Sequence, residues 1–137
     1  MAPDSTGLVT LSEQECLRLL RTHPVAVGRL GVTDTDGHPI IIPANYRLDG
    51  DTVVVRTATG SVLAERAGGH KVAFEVDEID PAWQEGWSVL IQGTAVRVSD
   101  EDELARLRRL PLHPWAPGER PVYLQIVPSV VTGRRIT

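Results

Sequence analysis

One predicted strand ends in an unusually polar stretch, "RTATGS". Arg56 offers a forked guanidinium, and Thr57 and Ser61 offer hydroxyls for further hydrogen bonds. Gly60 and Ser61 are predicted to start a helix over 60–68, whose free amides and positive dipole end favour an anion. The stretch is therefore a candidate cradle for a phosphate monoester. A polar strand end with a Ser/Thr helix cap explains the same residues, and this alternative stays open.

Two other stretches could contact a flat ligand. In "PANY", Asn45 and Tyr46 could present an amide and a ring edge to a planar polar heterocycle, although a buried tyrosine at a strand end is the better explanation of this stretch by itself. In "GWSV", Trp87 and Ser88 start the longest predicted strand, close to a loop that carries Trp83. These tryptophans could stack on a ligand or belong to the core.

Single ionisable residues give weaker signals. Arg29 interrupts an apolar strand, so it either points outward or faces a ligand groove. His113 lies in an irregular segment and could act as an acid or base near neutral pH. The other histidines show no metal-ligand spacing, and no Ser/His/Asp or Cys/His arrangement is apparent. No metal site and no catalytic residue are predicted.

Turn residues and apolar periodicity predict the elements that position these residues. Ser12 and Glu15 form a capping-box pattern at the start of the first helix. Pro39 and Pro43 lack a backbone donor, which predicts an edge, a bulge or a wall against a ligand. The predicted helices are 12–22, 60–68 and 100–110, and the predicted strands are 25–33, 38–48, 52–57, 70–79, 87–99 and 122–136.

This element order predicts a single, mainly β (α+β) domain over 1–137, with a flexible N-terminus over 1–10. Short turns join consecutive strands, so the six or seven strands should be mostly antiparallel and close into a barrel with short peripheral helices. The net charge of −4 argues against a nucleic-acid partner. No apolar run is long enough for a membrane helix and no signal peptide is evident, so a cytoplasmic protein without a membrane partner is expected.

The order and spacing of the motifs resemble a known family. The quoted stretches occur together with "VGRLGV", "DGHPIIIPANY", "PWAPGERPVYLQIVP" and "GRRI". This order resembles the FMN-binding split-barrel proteins of the pyridoxamine phosphate oxidase-like superfamily, in particular the small single-domain members common in actinobacteria. The resemblance covers residues 10–136 and implies a homodimer with FMN in a groove between its subunits.

The resemblance implies a role for each matching segment. The isoalloxazine ring would be lined by Pro43, Ala44, Asn45 and Tyr46, and flanked by Trp87, Ser88 and Val89. The phosphate end would be held by the segment of Arg56, Thr57, Gly60, Ser61 and Val62. The partner subunit would close the site with its C-terminal half, which includes Trp115, Arg134 and Arg135. Arg29 and His113, singled out above from their residue types, are further candidates for a substrate or partner contact.

One position departs from the family pattern, because Val62 stands where relatives often have a lysine beside the phosphate. The cofactor is therefore predicted as FMN, with a deazaflavin coenzyme as the alternative. The first functional hypothesis is a flavin- or deazaflavin-dependent oxidoreductase acting on a small organic acceptor. The second is a non-catalytic flavin or small-ligand binding and storage protein with the same fold, which the missing lysine favours.

Overall fold

The computed structural model describes residues 8–136, which contain seven strands and three helices. The strands are β1 Val9–Leu11, β2 Val27–Thr33, β3 Pro39–Asp49, β4 Thr52–Thr57, β5 Lys71–Asp80, β6 Glu85–Arg97 and β7 Val122–Ile136. The helices are α1 Glu13–Thr22, α2 Val62–Arg66 and α3 Glu101–Leu107. Every predicted helix and strand is present, with its ends shifted by a few residues.

Six strands form a closed antiparallel barrel. The strand order is β1-β7-β4-β3-β2-β5-β6, and β6 pairs back onto β7 to close the sheet. Strand β1 adds to the outside of this ring through β7. The predicted mainly β fold, an antiparallel split barrel of six to seven strands with short peripheral helices, is confirmed.

Helix α1 begins with the predicted capping box. The Ser12 hydroxyl accepts a hydrogen bond from the Glu15 amide at 3.1 Å, and the Ser12 amide donates to the Glu15 carboxylate at 3.4 Å. The helix contacts β7 and β3, and its buried side chains join the barrel core: Cys16, Leu17, Leu19 and Leu20. Burial of this apolar face is what stabilises so short a helix.

A second, smaller core lies outside the barrel. Val54 of β4 and Tyr123 of β7 point away from the barrel interior and pack under α3. Leu104, Leu107 and Leu112 complete this cluster. Helix α3 therefore covers the outer surface of β4 and β7, and the segment that follows it is anchored beside the ends of these strands.

Strands β3 and β4 separate halfway along β3. Their pairing runs from Tyr46 opposite Val55 to Asp49 opposite Thr52, whereas residues 39–45 of β3 pair with β2 alone. Pro39 and Pro43 thus lie where β3 has a free edge, as predicted, and a missing backbone donor costs nothing there. This separation leaves a cleft between β3 and the end of β4.

The N-terminal prediction needs a correction. Residues 1–7 lie outside the described residues, but Val9 and Thr10 are paired with Arg135 and Arg134 of β7 and are not a loose terminus. The partner of this three-residue strand lies more than 120 residues away, so no local pattern indicates it. The predicted loop over 80–86 is also shorter, because β5 and β6 leave only residues 81–84 between them.

Gly93 is expected to be essential for barrel closure. It lies at the register shift between β6 and β7, and a Cβ at this position would be 2.1 Å from the Val127 carbonyl oxygen. We expect Gly93→Ala to lower the free energy of unfolding by about 1–3 kcal/mol, measured by urea denaturation, because backbone must move. Gly68→Ala is the matched control, since its Cβ would meet no atom closer than 3.5 Å. Equal stability of the two variants would contradict this role for Gly93.

Candidate functional site

The separation of β3 and β4 creates a cleft of about 370 Å³, here called the β3–β4 cleft. The edge of β3, the end of β4, the start of α2 and the segment 111–121 form its walls. Its lining consists of Ile42, Pro43, Ala44, Asn45, Arg56, Thr57, Ser61, Val62, Leu63, Pro114, Ala116 and Arg120. The two segments predicted to hold a flat ring and a phosphate therefore share one cleft. Within residues 8–136, two arginines and no carboxylate line it.

The polar stretch after β4 forms a helix cap that also faces the cleft. Ser61 is the N-cap of α2, and its hydroxyl accepts a hydrogen bond from the Ala64 amide at 3.2 Å. The hydroxyls of Thr57 and Ser61 are 2.6 Å apart and share a hydrogen bond. Gly60 has a φ of 76° and makes the turn before the cap, without lining the cleft. The capping alternative is thus correct for Ser61, and it does not exclude a ligand contact.

Arg56 is held by the segment 111–121. Its Nε donates to the Arg120 carbonyl at 3.2 Å and its Nη1 donates to the Leu112 carbonyl at 3.1 Å. The guanidinium also lies 5.1 Å from the centre of the Tyr123 ring, within the range of a cation–π contact. These bonds use two of its five N–H donors, and no carboxylate within residues 8–136 forms an ion pair with it. The charge is positioned without being neutralised.

Asn45 and Tyr46 have different environments although they are adjacent. The Asn45 side-chain oxygen accepts a hydrogen bond from the Trp115 amide at 2.9 Å, which ties the segment 111–121 to β3. Tyr46 is buried, and its hydroxyl donates to the Leu20 carbonyl at 2.8 Å. This burial raises the pKa of Tyr46 to about 12. The predicted ring edge is therefore directed into the core, and Tyr46 can face a ligand only through its backbone.

The start of β6 does not line the β3–β4 cleft. Val89 is fully buried, and Trp87 packs edge-to-face on His23 with ring centres 5.4 Å apart. Trp87, Ser88 and Arg134 line a separate groove of about 640 Å³, here called the β6–β7 groove. Alternation along β6 could have revealed the burial of Val89, because it shares its phase with Ile91 and Ala95, which are also buried.

The remaining predicted residues lie at three places. His113 and Trp115 line a small cavity of about 180 Å³ beside Asn45, and Trp115 is 72% exposed. Arg135 lines a pocket with Trp87 at the end of β6. Arg29 points outward on β2, as one reading of the sequence expected. No side chain of this group lines the β3–β4 cleft within residues 8–136.

Two carboxylates flank Arg29 on the outer barrel surface. The Arg29 Nη1 lies 3.6 Å from oxygens of both Glu75 and Asp77. The pKa of Glu75 is raised to about 7, first by partial burial and then by the nearby Asp77 carboxylate. Arg29 lowers it by less than these two effects raise it. Asp77 belongs to β5, within the predicted strand 70–79. The alternation that predicts this strand is regular over residues 71–77 and ends in three exposed residues.

One group of possible metal ligands occurs in the turn between β2 and β3. Ligand atoms of Asp34, Asp36 and His38 lie within 4.8 Å of one another. The Asp34 carboxylate already accepts the amides of Asp36 and His38 at 2.9 Å each, which explains its position as part of the turn. We assign no metal to this exposed group.

Comparison with known proteins identifies the family. The pyridoxamine 5′-phosphate oxidase family model matches residues 12–135, so the chain belongs to that family. An uncharacterised Mycobacterium tuberculosis protein is 37% identical over 134 residues, which cover 94% of this chain and 86% of the relative.

No helix within residues 8–136 has the length and apolar character needed to cross a membrane.

Two solved structures are similar in fold and sequence. The FAD-binding protein from Mycobacterium smegmatis shares 38% identity with a TM-score of 0.78, and the match covers 93% of this chain and 97% of that one. A provisionally assigned pyridoxamine 5′-phosphate oxidase from Corynebacterium glutamicum shares 36% identity with a TM-score of 0.81, over 95% and 98% of the two chains.

The Glu75 carboxyl predicts a specific pH dependence of stability. Its pKa is about 7 in the folded chain and ordinarily 4.5, so the folded state binds more protons between these values. The free energy of unfolding should therefore fall as pH rises from about 4.5 to about 7. In Glu75→Gln this decline should be reduced, as measured by urea denaturation across the range. The exposed Glu119→Gln control should keep the wild-type slope, and an unchanged slope in Glu75→Gln would contradict the assignment.

Proposed function

We propose that this chain binds a flavin nucleotide, with the phosphate in the β3–β4 cleft. The observation that carries the proposal is the convergence of the segments around Pro43 and Arg56 in one cleft with two arginines and no carboxylate among the described lining residues. Such a site favours a compact dianion. Membership of the pyridoxamine 5′-phosphate oxidase family and the FAD-binding relative from Mycobacterium smegmatis support the same ligand class.

The residues of the cleft fit the parts of FMN. Arg56 has unused donors for phosphate oxygens, and Ser61 lines the same cleft. The edge of β3 at Pro43 and Ala44 offers a flat, partly apolar wall for a ring system. The hydrogen bond from the Trp115 amide to Asn45 ties the segment 111–121, which forms another wall, to β3. This bond fixes the width of the cleft. FMN is our first choice of cofactor, with a deazaflavin coenzyme as the alternative.

The proposed reaction is a flavin-dependent oxidation or reduction of a small organic acceptor. A bound flavin would supply the hydride or electron transfer. The chain's own residues would bind the phosphate, orient the ring along β3 and exclude water with the segment 111–121. The cleft offers no carboxylate or histidine among its described lining residues, which is compatible with chemistry carried by the cofactor.

The second candidate function is flavin binding or storage without turnover. Val62 favours it, because a 45% exposed apolar side chain occupies a lining position where a cation would tighten phosphate binding. The two functions differ in one measurement. An oxidoreductase should reduce its bound flavin with a nicotinamide donor under anaerobic conditions, whereas a storage protein should leave it oxidised.

We also propose that two copies form the working unit. The outer surface of β2, β5 and β6 has a trough of about 590 Å³ over the small residues Gly31 and Ala73. Ile41 and Val130 flank it at 72% and 48% exposure, in register across the sheet. An apolar rim around a trough suits an isologous contact between two copies. Such a dimer could bring the β6–β7 groove of one copy toward the β3–β4 cleft of the other.

Flavin binding can be tested at Val62. We expect wild-type protein to quench FMN fluorescence saturably, and Val62→Lys to bind FMN about 10-fold more tightly by adding a charge-assisted contact. Val62→Gln is the matched control of similar length without charge, and riboflavin, which lacks the phosphate, should not distinguish the variants. The same titration with the deazaflavin coenzyme tests the alternative. Absence of binding to every one of these ligands would refute the proposal.

The proposed dimer can be tested with two substitutions in β6. We expect size-exclusion chromatography with light scattering to return twice the chain mass of 14.9 kDa for the wild type. Leu90→Lys, on the proposed contact surface beside Glu75, should shift the mass toward the monomer because it buries a charge. Val96→Lys makes the same change opposite Gln125, near α3, and should remain dimeric. A monomeric wild type would leave the proposed shared site incomplete.

A further inference from the structure

Arg120 is a second cationic side chain in the β3–β4 cleft, and the sequence analysis did not single it out. It belongs to the segment 111–121 and lines the cleft together with Arg56. The two residues are directly linked, because the Arg56 Nε donates to the Arg120 backbone carbonyl. No local signal in "PGERP" separates this arginine from an ordinary turn residue, since its partner lies 64 residues earlier.

The Arg120 guanidinium has unused hydrogen-bonding capacity. Its Nε is buried and has no hydrogen-bond partner, and its Nη2 reaches only the Pro117 carbonyl at a long 3.4 Å. Within residues 8–136 no carboxylate forms an ion pair with it. Protein acceptors therefore hold the guanidinium through one long hydrogen bond only, and its remaining Nη donors are available to a ligand acceptor in the cleft.

The charges of the cleft support the same conclusion. Two arginines line the cleft, with no acidic residue among the described lining residues to compensate their charges. A bound anion would offset both positive charges. A phosphoryl group with several oxygens can accept hydrogen bonds from both arginines at once.

We propose that Arg120 is an anion-binding residue that, together with Arg56, holds the phosphoryl group of the ligand and thereby fastens the segment 111–121 over the cleft. The proposal rests on the proposed flavin-binding function for the identity of the ligand. It adds Arg120 as a residue that binds the phosphoryl group, and it predicts an effect on the segment 111–121. Ligand binding should order the segment that Asn45 and Arg56 already tether, because Arg120 gains its missing acceptor there.

The test compares two ligands that differ only in the phosphate. We expect Arg120→Gln to weaken FMN binding about 10-fold or more and to change riboflavin binding by less than twofold, because only FMN offers phosphate oxygens. Arg120→Lys should recover part of the FMN affinity. Arg109→Gln, an exposed arginine after α3, is the matched control and should bind both ligands as the wild type does. Unchanged FMN binding in Arg120→Gln, or an equal loss for both ligands, would overturn the proposal.

A flavin-free measurement separates this proposal from the proposed function. In low-salt buffer, inorganic pyrophosphate should raise the melting temperature of the wild type and of Arg109→Gln but not of Arg120→Gln. Without ligand, Arg120→Gln should melt at or above the wild-type temperature, because the substitution removes a buried donor that has no partner. If flavins fail to bind but pyrophosphate gives this pattern, only the flavin assignment falls. If pyrophosphate has no effect on the wild type, or Arg120→Gln is destabilised and responds normally, the role of Arg120 is refuted.

Discussion

The pairing of β7 on both of its edges is the constraint on which the rest of the structure depends. Residues 124–126 of β7 pair with β4 on one side and with β6 on the other, which closes the ring of six strands. Arg56 and Thr57 at the end of β4 pair with β7 and not with β3. Closure therefore draws the end of β4 away from β3. The cleft exists because the last residues of β4 pair with β7 and leave β3.

The opened cleft brings two cationic side chains together without a carboxylate among its described lining residues. On the outer surface, Arg106 is paired with Asp49 and Glu103, and Arg29 lies between Glu75 and Asp77. In the cleft, backbone carbonyls position Arg56, and the Nε of Arg120 has no acceptor. Local departures from satisfied pairing are expected where a ligand completes the structure. The outer surface of the barrel is also only partly covered. Helix α3 covers β4 and β7, whereas the trough over Gly31 and Ala73 is uncovered.

Local sequence patterns predicted most of the fold. The capping box at Ser12, the turn residues around Gly37 and Gly50, and the alternation of β5 each act over a few residues, so they are legible without a structure. The strand β1 was missed because three residues carry too little pattern, and its stability comes from β7. The resemblance to the split-barrel family supplied the barrel type, which strand propensity does not specify.

The sequence by itself determined the elements and the chemistry of the polar stretches, since capping, turns and alternation depend on neighbours along the chain. Only the tertiary structure decided which side chains share a site. It placed Arg120 beside Arg56, turned the Tyr46 ring into the core and separated Trp87 from the cleft. The physical reason is register: the direction of a strand side chain and its neighbour on the next strand change with a shift of one residue. That register is fixed by barrel closure, through contacts between residues far apart in the chain.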